Sequence, residues 1–97
     1  MTNVLFHPLA EEELAHAAQF YEQQAAGLGG AFLDEIERAV NRAVMAPHAG
    51  APLREGLRRQ FVRRFPFSVL YRIDDGTIFV LAVMHHRRRP GYWRGRA

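Results

Sequence analysis

The chain has 97 residues, 48% of them apolar, with 13 arginines against 10 acidic side chains and neither lysine nor cysteine. These figures describe one small domain and exclude a disulfide framework, a thiolate metal site and a thiol nucleophile. The longest apolar run, Ile78 to Met84, is far too short to cross a membrane, and the N-terminus lacks the basic start and apolar core of an export signal, so a cytoplasmic protein without membrane association is expected.

The net charge of +3 conceals a polarised chain. Residues 1–50 carry seven acids and two arginines, whereas residues 51–97 carry three acids and eleven arginines. The C-terminal half, at +8, therefore favours an acidic partner, whether nucleic acid or polypeptide.

Taken in order, residues 3–7 alternate like a short strand and run into Pro8, a residue suited to the first position of a helix. From Pro8 to about Gln24, Leu14, Ala17, Ala18 and Tyr21 recur at helical spacing, and Glu11, Glu12 and Glu13 sit where the macrodipole favours negative charge. The glycines at 27, 29 and 30 break this helix. A second begins near Gly30, with Phe32, Ile36, Val40 and Ala43 or Val44 on one stripe, and ends before Pro47. The acids Asp34, Glu35 and Glu37 read as its solvated face. Residues 48–52 read as a loop.

Beyond Leu57 the period changes to that of strands. Leu57, Phe61 and Phe65 share one parity in a first strand, and Phe67, Val69, Tyr71 and Ile73 share one in a second. Asp75-Gly76 signals a tight hairpin, and Thr77 to Met84 is apolar at almost every position, as in a strand covered on both faces. The predicted order is β-α-α-β-β-β, an α+β fold in which a helical hairpin packs on a small, mainly antiparallel sheet.

Two segments carry candidate chemistry. Arg54, Arg58, Arg59, Arg63 and Arg64 fall before and along the first C-terminal strand, where alternation puts Arg58 and Arg64 on one face and Arg59 and Arg63 on the other. Such a strand reads as a charged edge or a partner surface. Residues 85–93, HHRRRPGYW, combine His85, His86, Arg87, Arg88, Arg89, Tyr92 and Trp93. Guanidinium groups bind phosphate or carboxylate, imidazole exchanges protons near neutrality, and the rings offer stacking faces. Together they could serve RNA cleavage, a partner-docking surface, or simply a solvated chain end with Trp93 capping the core. His85 and His86 are adjacent and point to opposite faces of a strand, so they do not make a metal site, and no cofactor is expected.

The stretches FHPLAEEELAHAAQFYEQQAAGLGGAFLDEIERAV, RRFPFSVLYRID and VLAVMHHRRRPGYW, in that order and spacing, resemble the RelE/ParE superfamily of type II toxin–antitoxin toxins, in particular its ParE-like, plasmid-stabilisation branch. The resemblance implies a growth-inhibiting toxin held in a hetero-oligomer by a cognate antitoxin, whose acidic and apolar C-terminal segment wraps it. It leaves two targets. RelE-like members cleave mRNA on the ribosome, and characterised ParE-like members poison DNA gyrase. Matched to the RelE nuclease pattern, Arg59 and Tyr92 are kept and His86 stands in for an arginine, so these three are the catalytic candidates of that reading. Phe61 replaces an expected lysine and Ser68 the phosphate-binding arginine, which favours the gyrase reading. There, Arg58, Arg59, Arg63, Arg64, Arg87, Arg88, Arg89, Tyr92 and Trp93 become target- or antitoxin-binding residues.

Overall fold

A short strand, β1 (Val4–Phe6), turns at His7 into helix α1 (Pro8–Gln24) in the computed structural model, which describes residues 3–96. Pro8 takes the first helical position as its sequence predicts, and the cap is His7, whose Nδ1 accepts the Leu9 amide at 3.0 Å. Helix α2 (Leu28–Met45) follows after three residues. Its N-terminus is capped from the preceding helix, because the Glu22 carboxylate accepts the amides of Gly27 at 2.9 Å and Gly29 at 3.0 Å. An anion there also meets the positive end of the α2 dipole.

Three further strands complete the chain with one short addition. Ala51–Pro52 (β2) and Arg58–Phe61 (β3) flank a 3-10 turn at Arg54–Gly56, and β4 (Phe67–Asp74) and β5 (Thr77–His85) form the long hairpin. Asp75 and Gly76 turn it with φ of 50° and 79°, the left-handed pair that a tight hairpin requires. The sheet order is β1-β5-β4-β3-β2, with β1 parallel to β5 and every other pair antiparallel. This is the predicted α+β arrangement.

Both faces of the sheet are covered, which is why β5 is apolar almost throughout. Toward the helices, Phe32, Ile36 and Val40 pack on Phe67, Val69, Tyr71, Val80 and Val83. Tyr21, Phe65 and Phe67 surround Phe32 with ring centres about 5 Å apart, a spacing favourable for edge-on aromatic pairs. On the other face Leu57, Leu70, Leu81 and Ala82 pack against Trp93. Leu70 pairs with Ala82 but Tyr71 with Val80, so Leu81 is an extra residue in β5. This bulge lets Leu81 and Ala82 both face the second core.

Four expectations are corrected. Residues 51 and 52, read as loop, form β2 against Arg58 and Arg59. Leu57, Phe61 and Phe65 do not share a face: β3 ends at Phe61, the following loop reorients the chain, and Phe65 joins the helix-side core while Leu57 lies in the other and Phe61 is 54% exposed. For the same reason the alternation of arginines holds only for Arg58 and Arg59, with Arg63 and Arg64 in the loop beyond. Glu35 is not part of a solvated face. It is buried, with one carboxylate oxygen 3.3 Å from exposed Arg38 and the other without a hydrogen-bond partner.

Candidate functional site

The end of the sheet where β3 and β5 finish gathers much of the positive charge. Arg59 projects from β3 onto the face away from the helices, where its Nε donates to the Ser68 hydroxyl at 2.9 Å and its guanidinium carbon lies 4.5 Å from the Phe61 ring centre. Ser68, on β4, is completely buried, and its Oγ lies 2.9 Å from His86 Nε2. With Arg59 as donor to the hydroxyl, the serine proton is free to point at His86, an arrangement that requires neutral imidazole. Burial and the nearby Arg59 charge both hold the His86 pKa below its ordinary value, against a backbone hydrogen bond at Phe67 that raises it.

His85 and His86 point to opposite faces, as their adjacency predicts. His85 packs edge-on against Phe67 on the helix side, and His86 faces Phe61 and Ser68 on the other. Arg58 faces the helices and donates to the carbonyls of His48 and Gly50, both at 3.0 Å, so it holds the loop before β2. Arg63, Arg64, Arg87, Arg88 and Arg89 are exposed. Trp93 is not an accessible ring: it is 8% exposed and belongs to the second core.

Tyr92 belongs to a different constellation. Its hydroxyl donates to Glu13 Oε2 at 2.7 Å, and Arg96 donates to both Glu13 oxygens at 2.9 and 3.0 Å. Glu13 Oε1 also accepts the Val83 amide, and Arg96 reaches the Leu81 carbonyl. These contacts satisfy the edge of β5 where β1 has ended. Burial, and secondarily the Glu13 carboxylate, push the Tyr92 phenol further above its ordinary pKa. A phenol so placed is a poor proton-transfer group near neutrality.

Beside this cluster, Ala17, Phe20, Tyr21, Phe67 and Val83 line a largely apolar hollow of about 360 Å³ with His16, His85 and Arg88 among its lining residues. Phe20 is 55% exposed there.

The family pattern described as "ParE toxin of type II toxin-antitoxin system, parDE" matches residues 4–90 of this sequence. The chain belongs to the ParE toxin family. It is 33% identical over 92 residues to Toxin ParE2 from each of two Mycobacterium tuberculosis strains, covering 87% of this chain and 81% of each relative. In fold it resembles a solved chain titled "Chromosomal ParDE TA system from P. aeruginosa", with a TM-score of 0.72, 19% identity, and coverage of 88% of this chain and 96% of that one. It is accordingly a ParE-type toxin of a type II toxin–antitoxin system. No helix among the described residues is long and apolar enough to cross a membrane.

In this ParE chain the three nuclease-pattern residues are thus divided. Arg59 and His86 meet through Ser68, whereas Tyr92 is held by Glu13 and Arg96. Sequence reading missed Glu13 and Arg96 as structural organisers, and with them Arg42, whose Nη2 donates from α2 to the Phe61 carbonyl at 2.8 Å. Glu13 had a signal: it falls within the stripe of Ala10, Leu14, Ala17 and Tyr21, an acid on an apolar helix face.

Proposed function

We propose that this ParE-type toxin acts on DNA gyrase and blocks replication, and that a cognate antitoxin neutralises it. The observation that carries this reading is the state of the nuclease pattern. The positions expected to hold a phosphate-binding arginine and a lysine carry a buried Ser68 and an uncharged Phe61, and Tyr92 is engaged as a structural hydrogen-bond donor. Each missing preorganised donor near a developing phosphorane charge removes on the order of 10²-fold in rate. A protein that binds its target without chemistry needs no such set.

Residues 51–97 carry a net +8, and the hollow between α1 and the end of β5 presents exposed Phe20 beside His16, His85 and Arg88. These features suit an antitoxin segment that combines apolar anchors with acidic side chains, with apolar burial supplying most of the affinity and exposed ion pairs about 0.2–1 kcal/mol each.

Purified toxin added to gyrase and DNA should trap cleaved DNA on the enzyme, and toxin induction in cells should stop DNA synthesis before protein synthesis. The reverse order, with site-specific mRNA cuts lost in Tyr92→Phe, would replace this reading with ribosome-dependent mRNA cleavage by His86, Tyr92 and Arg59.

A further inference from the structure

Three guanidinium groups converge on the outer edge of β3 without an acidic partner. Arg42 reaches from α2 and donates Nη2 to the Phe61 carbonyl at 2.8 Å. Arg59 stacks on the Phe61 ring and spends only its Nε on Ser68. Arg63 is exposed two residues further on. With Phe61, Gln60 and residues 49–51 they line an open cleft of about 400 Å³ that contains no acidic side chain. Among the described residues, none of the three arginines is in an ion pair. Like charges brought together this way repel one another, and a bound anion relieves the repulsion.

The cleft's own geometry distinguishes between anions. An acidic peptide strand in this cleft would have to pair with the part of β3 beyond β2, where the Phe61 carbonyl is already occupied by Arg42. A phosphodiester chain asks for donors and stacking faces instead. Both are present: the free N–H groups of three arginines, and a 54% exposed phenyl ring with a guanidinium layered on it. Bases stack on aromatic rings and on guanidinium planes alike.

We propose that this cleft binds single-stranded nucleic acid, with backbone phosphates on Arg42, Arg59 and Arg63 and a base stacked on the paired Phe61 and Arg59 surfaces. The inference goes beyond the gyrase reading and concerns the isolated chain. A duplex, whose base faces are hidden, uses only the arginines and binds more weakly.

Fluorescence anisotropy with the purified full chain tests it, using labelled oligo(dT) and oligo(U) of about 12 nucleotides and a DNA duplex of equal length. Binding of the single strands should weaken steeply between about 50 and 200 mM salt, and Arg63→Ala should lower the salt slope by about one. Phe61→Ala should weaken single-strand binding by roughly 5- to 100-fold and leave duplex binding unchanged. Both side chains are exposed, and thermal melts would verify that the variants fold. Arg54→Ala, which removes the same charge outside the cleft, should bind like the parent. The proposal is overturned if the duplex binds as tightly as the single strands, if Arg54→Ala and Arg63→Ala weaken binding equally, or if a polyglutamate peptide displaces the oligonucleotide as effectively as unlabelled oligonucleotide does. Gyrase is absent throughout, so failure here leaves the gyrase reading standing, and failure to trap gyrase leaves this site standing.

Discussion

Glu13 and Arg96, 83 positions apart in the chain, meet in a two-pronged ion pair with separations of 2.9 and 3.0 Å. The side chains are only 16% and 10% exposed, so water screens the pair weakly. Removing one partner strands the other charge in a poorly hydrated place. Glu13→Ala should destabilise the fold by about 3 kcal/mol. For a domain of this size that is a fall in melting temperature of roughly 10 °C or more, measurable by circular dichroism. Tyr92→Phe, which leaves the ion pair intact, should cost only about 1 kcal/mol.

Adjacent glycines in α2 should respond with opposite sign. A Cβ on Gly29 would lie 2.5 Å from the Ala18 carbonyl oxygen, part of the α1 backbone, whereas one on Gly30 would meet nothing within 4 Å. Gly29→Ala should therefore force the helices apart at a cost of about 1–3 kcal/mol. Gly30→Ala should stabilise by roughly 0.5–1 kcal/mol, since alanine loses less backbone freedom in a helix. Urea denaturation of the two single variants would decide both signs.

His86 links stability to pH. Its folded-state pKa lies below the ordinary imidazole value, chiefly through burial and the Arg59 charge, so the folded chain binds the proton less readily than the unfolded chain. The associated stability is fully present above the unfolded pKa of about 6.5 and is lost as pH falls from there through the folded pKa. NMR titration should find the His86 ring titrating below the ordinary range, and Arg59→Ala should move it upward. A His86→Gln variant should show a flatter stability profile below neutrality.

If the hollow between α1 and β5 receives the antitoxin, toxicity and neutralisation should separate. Phe20→Asp places a charge where an apolar anchor is expected, and Phe20 is exposed enough that the fold should survive. Co-expression in cells would show a variant still toxic but no longer rescued. Rescue as efficient as that of the parent would move the antitoxin elsewhere.

Element order was legible in the sequence because periodicity is local: the α1 and α2 stripes, the Asp75-Gly76 turn and the apolar β5 each depend on neighbours a few residues away. The ends of strands were less so. Phe65 looks like a continuation of the Leu57 and Phe61 parity, and only the tight loop after Phe61 sends it to the other core. The site was legible in composition but not in its grouping. Nothing in the spacing of Arg59, Ser68 and His86 announces a chain of hydrogen bonds, since pairing β3, β4 and β5 brings them together. Burial of Glu35 had the same sign as Glu13, since it lies three residues after Phe32 and four before Ala39 on the apolar stripe of α2, but the acids Asp34 and Glu37 on either side masked it.

The parallel pairing of β1 with β5 sets Val4 beside Ile78 and Phe6 beside Val80. During translation the first strand emerges without its partner and must wait until β5 has been synthesised. Only then can the sheet close and the amide of His7 reach the Val80 carbonyl. A chain interrupted before residue 77 therefore lacks β5 entirely, and with it the strand that joins β1 to β4. Such a chain also lacks Ile78, Val80 and Val83, so the helices have no complete sheet face on which to pack.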